Sequence, residues 1–304
     1  MTERKCVLAL GFFDGVHRGH AALLNRTLER AAALGAEPAV MTFDTHPDTL
    51  VQKKPVELIN SATDRAYLIR RLFGIDCVEF FRFTEETMRM PWDEFLQKIR
   101  SDLGVVGFVV GYDFRFGWRG AGNTELLRSY CEENGLSCDV MEKVELDGIT
   151  VSSTYIRTLL REGDMTRAEY FMGHPHFLSD IVRSGKRLGR SIGAPTVNMQ
   201  FAPDVLIPPH GVYAARAILP DNSSYPAVTN IGIRPTVSNE NTVTVESHLI
   251  GYSGNLYGRT LGLEIFDFLR PERRFADINE LSAQIARDGE HARQIVEARH
   301  DEAR

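Results

Sequence analysis

Short apolar runs alternate with amphipathic stretches from Cys6 to Glu162, and this alternation restricts the fold of the chain more tightly than any other feature. The runs Cys6–Leu10, Pro38–Phe43, Cys77–Phe83, Val105–Val110 and Leu136–Val144 have the length and composition of buried strands. Between and after them, Ala21–Leu34, Ser61–Phe73, Pro91–Leu103, Asn123–Glu133 and Ser152–Glu162 carry apolar residues at helical spacing. Leu23, Leu24, Leu28 and Ala31 share one side of the first helix, and Gly35 stops it. Ser61 or Thr63 can cap the second, and Pro91 suits the first turn of the third. Strands separated by helices of this length predict a mostly parallel sheet covered on both faces.

The texture changes near Gly173-His174-Pro175. From about Phe177 to Phe268 the helical period is lost, and the β-rich runs Leu178–Val182, Gly211–Ile218, Tyr225–Ile231, Thr242–Leu249 and Thr260–Phe268 follow one another. Turn signals such as Asp221-Asn222-Ser223 separate them, which predicts a small antiparallel barrel or sandwich. An amphipathic helix, roughly Ile278–Ala298, closes the chain. A chain of 304 residues has room for two domains, here 1–173 and 174–304.

A net charge of −6 disfavours nucleic acid as a partner, and an anionic ligand must rely on local cations and backbone N–H groups. Cys6, Cys77, Cys131 and Cys138 form neither a C-x-x-C pair nor a zinc pattern, and reduced thiols suit a cytoplasmic protein. The apolar run after Lys5 stops at Gly11, which reads as a strand rather than a signal peptide. No segment has the length of a membrane span. A monomer or weak homo-oligomer is expected.

The segment Gly11-Phe12-Phe13-Asp14-Gly15-Val16-His17-Arg18-Gly19-His20 joins the first strand to the first helix. Ligands of open α/β sheets bind beyond the carboxyl ends of strands, at helix N-termini. Glycines there admit a phosphate, and His17 and His20 can both donate to it. Alone, H-x-G-H reads equally well as two polar residues at a helix start. Val151-Ser152-Ser153-Thr154-Tyr155-Ile156-Arg157 opens the last helix of the same half, where free N–H groups and Arg157 can hold a triphosphate. A simply capped helix is the competing reading.

Together these two segments resemble the nucleotidyltransferase superfamily. The segments Thr42-Phe43-Asp44-Thr45-His46-Pro47, Gly111-Tyr112-Asp113-Phe114-Arg115-Phe116-Gly117 and Gly120-Ala121-Gly122-Asn123 narrow the likeness to the FMN adenylyltransferase module of bacterial FAD synthetases. Gly185-Lys186-Arg187-Leu188-Gly189-Arg190-Ser191-Ile192-Gly193-Ala194-Pro195-Thr196-Val197-Asn198 resembles the riboflavin kinase loop that ends in Pro-Thr-x-Asn, and lacks the Walker A spacing. Asn230-Ile231-Gly232-Ile233-Arg234-Pro235-Thr236, Val245-Glu246-Ser247-His248-Leu249 and Leu269-Arg270-Pro271-Glu272-Arg273-Arg274-Phe275 then recur in that family's order.

From about Leu8 to Asp288 the chain is therefore similar to bifunctional riboflavin kinase/FAD synthetases. The resemblance implies a nucleotidyltransferase-type, Rossmann-like α/β domain followed by a small antiparallel β-barrel domain with a C-terminal helix. It implies riboflavin, FMN and ATP as substrates, with Mg²⁺. Gly11, Phe12, Asp14, His17, His20, Ser152, Ser153, Thr154 and Arg157 would bind ATP for adenylyl transfer, with His17 and His20 contacting its phosphates. Asp113, Phe114, Phe116 and Asn123 would bind flavin in that module. In the kinase, Gly185, Lys186, Gly189, Arg190, Gly193, Asn230 and Arg270 would bind ATP and flavin, Thr196 and Asn198 would hold the metal, and Glu246 would be the base. Phe12 departs from the Asn of many relatives, Ala194 from a usual Phe and Val197 from a usual Ala.

Two other readings compete. An FMN adenylyltransferase could carry the barrel only as a flavin-binding module, against which Thr196, Asn198 and Glu246 all stand together. A flavin-sensing or RNA-binding regulator is opposed by the acidic balance.

Overall fold

The computed structural model describes residues 5–183, 196–235 and 241–302. Two compact units emerge. The first comprises Met1–Glu57 and Arg65–Ser153, the second Leu58–Asp64 and Thr154–Arg304.

The first unit opens with β1 (Cys6–Leu10), α1 (Arg18–Leu34), β2 (Glu37–Phe43) and the short α2 (Pro47–Val51). After α3 (Ala62–Phe73, in this unit from Arg65 onward) come β3 (Cys77–Phe81), the one-turn α4 (Glu85–Met88), α5 (Trp92–Leu103) and β4 (Val105–Gly111). It ends with α6 (Thr124–Glu133), β5 (Ser137–Met141) and a hairpin of β6 (Glu145–Leu146) and β7 (Ile149–Thr150). The five main strands pair in parallel in the order β3-β2-β1-β4-β5. All five residues of β1 are buried, as the central strand of a doubly covered sheet requires. Leu8, Leu10, Met41, Phe108 and Val110 pack with Phe95, Leu96 and Ile99 of α5 into a continuous core. The chain order reverses between β1 and β4, so the crevice beyond their carboxyl ends lies between the loops after Leu10 and after Gly111.

The predicted parallel sheet is present, with local differences. β3 ends at Phe81 rather than Phe83, and the Leu136–Val144 run shortens to β5, the hairpin beginning only at Glu145. Ser61 caps α3, its hydroxyl accepting from the Asp64 N–H at 3.1 Å. α2 and α4 are too short to show helical periodicity, and α4 rests on a reciprocal Thr84–Thr87 capping box.

The second unit holds α7 (Ser153–Glu162, from its second residue), α8 (Met165–Met172), β8 (His176–Ile181), β9 (Thr196–Met199), β10 (Gly211–Ile218), β11 (Ser224–Pro235), β12 (Asn241–Leu249), β13 (Thr260–Arg270) and α9 (Ile278–Glu302). Its six strands are antiparallel in the order β8-β13-β10-β11-β12-β9. Arg183, just beyond β8, bridges Asn198 on β9, donating its N–H to that carbonyl at 2.8 Å. The sheet therefore curls until its two edges meet at one end.

Strand alternation separates the two faces. Tyr213, Ala215, Ala217, Ile231, Val245, Leu263 and Ile265 are buried on one face, where the Thr229 and Ser247 hydroxyls pair at 2.8 Å. On the other face Val212, Ala214 and Val228 pack with Ala292 and Ile295 of α9. The unit also recruits residues 58–64. Leu58 bridges Val205, and the Asn60 amide donates to the Phe177 carbonyl at 2.7 Å.

His176 of β8 is 1% exposed, and both ring nitrogens lie buried without a hydrogen-bond partner among the described residues. Burial first, and the charge of His174 second, lower its pKa from 6.5 to about 4. The unfolded chain takes up this proton near pH 6.5 and the folded chain only near pH 4. Stability is thus fully present above pH 6.5 and falls as the pH drops toward 4, by about 3 kcal/mol in total. In urea unfolding between pH 7 and 4, His176→Leu should flatten this dependence; an unchanged slope would assign it to other groups.

Candidate functional site: two ligand-facing constellations

The loop after β1 is tightly wound. Phe13 is fully buried at φ 58°, Gly15 has φ 80°, and Val16 has φ 40°, unusual for a β-branched residue. The Thr42 hydroxyl donates to the Phe12 carbonyl at 2.8 Å, and the Ser153 hydroxyl donates to the Asp14 carbonyl at 2.9 Å. Asp14 itself is buried. Ser153, the last residue of the first unit, is therefore anchored to the β1–α1 loop, with Ser152 one residue earlier, whereas Thr154 and Arg157 belong to the second unit.

His17 caps α1, its Nδ1 accepting the His20 N–H at 3.2 Å. That bond places the proton of neutral His17 on Nε2. The His17 and His20 rings stack with centroids 3.6 Å apart. A Cβ on Gly19 would lie 3.0 Å from the His17 ring, which explains the glycine between them. His20 Nδ1 is buried and lacks a hydrogen-bond partner among the described residues. Burial, then the charges of His17 and Arg65, push the His20 pKa well below its ordinary value. The ring is neutral here, beside the N–H groups at the start of a helix, an arrangement suited to an anion.

Sequence reasoning missed Arg65. Its guanidinium is fully buried, lies 4.2 Å from the Phe12 ring centroid and donates to the Phe43 carbonyl at 2.7 Å. The signal was legible in part. Arg65 precedes Leu68 and Ile69 by three and four residues, so a charge sits on the apolar face of α3. His46, in the motif after β2, also meets Phe12, edge to ring with centroids 4.5 Å apart.

The loop after β4 holds the four residues expected at the flavin. Asp113 is exposed and Phe114 half-buried, whereas Phe116 belongs to the core beside Phe95. Phe114 and Phe116 stack at 5.5 Å. Asn123 spends its Oδ1 as the cap of α6, accepting the Leu126 N–H at 2.9 Å.

In the second unit the strand register assembles residues far apart in sequence. Asn198 on β9 stands opposite Glu246 on β12, which stands opposite Asn230 on β11. Asn230 stands opposite Val212, and Val212 opposite Arg270. Thr196, two residues before Asn198, shares their face. The Asn230 amide donates to Glu272 Oε1 at 2.9 Å, while its own Oδ1 is buried without a partner among the described residues. A Cβ on Gly232 would lie 2.4 Å from that same Glu272 oxygen, so the glycine makes room for the carboxylate. Arg270 is committed to Asp288 of α9 through Nε and Nη2, the latter at 2.8 Å. Gly185, Lys186, Gly189, Arg190 and Gly193, together with Ala194, lie outside the described residues.

Beside the row, a cavity of about 310 Å³ is lined by Val182, Thr196, Leu249, Tyr252, Asn255 and Tyr257, among others. In the first unit a cavity of about 650 Å³ lies among Lys5, Cys77, Arg100 and Val105, at the amino ends of the strands and so away from the histidine loop. Among the described residues, no set of three or more His, Cys, Asp or Glu side chains could hold a metal, and no helix is long and apolar enough to cross a membrane. Thr196 and Asn198 do offer hard oxygen donors, which suit Mg²⁺, an ion that usually binds few protein ligands and relies on phosphates and water.

The FAD synthetase family model matches residues 1–155, and the riboflavin kinase model matches residues 172–296. A bifunctional riboflavin kinase/FMN adenylyltransferase of Pseudomonas fluorescens is 36% identical over 97% of this chain and 94% of its own. Enzymes of the same description from Escherichia coli (strain K12) and Bacillus subtilis (strain 168) are 36% and 33% identical, over 96% and 95% of this chain and 93% and 92% of theirs. A solved Streptococcus pneumoniae structure described as a macrolide-efflux protein superposes with a TM-score of 0.81 at 24% identity, covering 96% of this chain and 95% of its own, a likeness of fold alone. With both family models matched in order and relatives alike over nearly the full length, the chain belongs to the bifunctional riboflavin kinase/FMN adenylyltransferase family.

Proposed function

We propose that this protein phosphorylates riboflavin to FMN with one ATP and adenylylates FMN to FAD with another, releasing pyrophosphate. The observation that carries the reading is the cross-strand row Asn198–Glu246–Asn230 in a chain that also presents H-x-G-H at the switch point of a parallel sheet. Adenylyl transfer is assigned to residues 1–173 and phosphorylation to residues 174–304. A barrel that only binds flavin is disfavoured, because the riboflavin kinase model matches it and the carboxylate stands beside the Asn of Pro-Thr-x-Asn.

For phosphorylation, Glu246 accepts the proton of the ribityl hydroxyl as that oxygen attacks the γ-phosphorus. Thr196 and Asn198 would hold Mg²⁺, which when bound offsets charge on the ATP phosphates. Asn230 offers its amide to flavin, and Gly185, Lys186, Gly189, Arg190 and Gly193 are assigned to the phosphates by resemblance. The apolar walls of the cavity beside Thr196, Leu249 and Tyr257 suit a planar base. Arg270 supports this site by tying β13 to α9.

For adenylyl transfer, the FMN phosphate attacks the α-phosphorus of ATP in line. The chain forms no covalent intermediate; it positions the phosphates and stabilises their charge. His17 Nε2–H, His20 and the first N–H groups of α1 face that charge. Gly11, Phe12 and Asp14 shape the loop, and Ser152, Ser153, Thr154 and Arg157 are assigned to the nucleotide. Phe114 and Asp113 are assigned to flavin, while Phe116 backs Phe114 from the core and Asn123 holds α6 in place. ATP supply, and four cysteines that form no disulfide, support a cytoplasmic location, and a monomer or weak homo-oligomer is the state proposed.

Purified protein given riboflavin and Mg-ATP should accumulate FMN first and FAD after it, followed by chromatography of the flavins. Production of FAD only when FMN is supplied would reinstate the adenylyltransferase-only reading.

A further inference from the structure

We propose that Arg65 is a positioning residue for adenylyl transfer: sealed beneath Phe12 and the end of β2, its guanidinium fixes the start of the β1–α1 loop and supplies a permanent positive charge behind the ATP phosphates. This rests on the reading of that loop as the phosphate site. Burying a cation is costly unless it is well partnered, and the position on α3 beside Leu68 and Ile69 would otherwise take an apolar residue. Its partners here include the face of Phe12 at 4.2 Å and the carbonyl of Phe43 at 2.7 Å. Phe80 is a more distant ring at 5.8 Å. These contacts tie the ends of β1, β2 and β3 to one charged group, on the carboxyl side of the sheet where ligands bind.

Arginine suits this role better than lysine. Its planar cation stacks on a ring, and it keeps its charge at any working pH. Its influence reaches the catalytic loop, since Arg65 is among the charges that hinder protonation of His20. A potential that repels a proton from His20 attracts phosphate to the same place, and a fixed buried charge does so without reorganising during the reaction. Being fully buried, Arg65 acts through the loop and its field rather than by touching substrate.

The test compares Arg65→Met, Arg65→Gln, Arg65→Lys and Phe12→Leu in full-length protein, with FMN and Mg-ATP as substrates. Riboflavin phosphorylation by the same samples reports folding. Loss of charge in the Met and Gln variants should lower kcat for FAD formation by about ten- to hundredfold, the range for groups that act through a ligand-contacting residue. The KM for ATP should change less than kcat. Arg65→Lys should recover most of the loss, and Phe12→Leu, which keeps the charge, should lose less than Arg65→Met. If the Met variant fails to fold, the Gln variant carries the same comparison with Lys. Unchanged kcat, a loss confined to KM, or equal loss in Met and Lys variants would overturn the proposal in favour of packing alone. If the unaltered protein makes no FAD from FMN, the underlying assignment fails instead.

Discussion

Glu246→Gln is expected to lower riboflavin phosphorylation by about a hundred- to ten-thousandfold, the usual contribution of a positioned proton acceptor. Glutamine preserves the size of the side chain and much of its hydrogen bonding, so the row Asn198–Glu246–Asn230 should stay in register. What is lost is the group proposed to take the ribityl proton while the γ-phosphoryl group moves. That interaction develops in the transition state, so flavin and ATP affinities should change little and the loss should fall on turnover. FAD formation from added FMN should be unaffected, since His17 and His20 belong to the other compact unit. Single-turnover FMN formation, run beside FAD formation from FMN, gives both readouts. Near-normal phosphorylation by the Gln variant would remove Glu246 from proton transfer, leaving Thr196, Asn198 and the glycine-rich segment before them to act by positioning alone.

The second large effect is expected at the histidine pair. His20→Ala should reduce FAD formation by about a hundredfold or more, comparable with loss of one donor to a developing oxyanion, while FMN formation persists. His20 is the cleaner target of the two. His17 also caps α1, so His17→Ala removes a helix cap worth about 1 kcal/mol together with any phosphate contact. His17→Asn separates the roles, because asparagine caps well but cannot offer the imidazole Nε2–H. The Asn variant should melt close to the unaltered protein and still lose most FAD formation. Equal loss of FMN and FAD formation in His20→Ala would indicate a folding defect. Recovery of FAD formation in His17→Asn would restrict His17 to capping.

Much of the architecture was legible because it is encoded in short-range pattern. Buried parallel strands need apolar runs, and intervening helices need a covered stripe, so β1, β2 and β4 and helices α1, α3, α5 and α6 emerge from periodicity with errors of a few residues at their ends. The change of texture near Gly173 likewise marks the passage from parallel to antiparallel sheet. β9 escaped notice because it is four residues long and follows a glycine-rich stretch whose composition gives no strand signal. Nothing local announces that Leu58–Asp64 joins the second unit, since its Val205 and Phe177 partners lie more than a hundred residues away.

The same division governs the sites. By itself the sequence determined the family-like motifs, the residue types able to hold phosphate, and the position of H-x-G-H between a strand and a helix, all properties of contiguous segments. Only the tertiary structure set Asn198, Glu246 and Asn230 side by side, because strand register depends on how whole strands pair and not on any one of them. It alone turned Phe116 into a core support for Phe114 and gave Asn123 to a helix end. It alone drew Arg65 beneath Phe12, converting an anomalous charge on an apolar helix face into a buried cation behind the histidine loop. A side chain's chemistry is written in its residue type, but its burial, its charge partners and the ring it stacks on come from segments that meet only when the chain has folded.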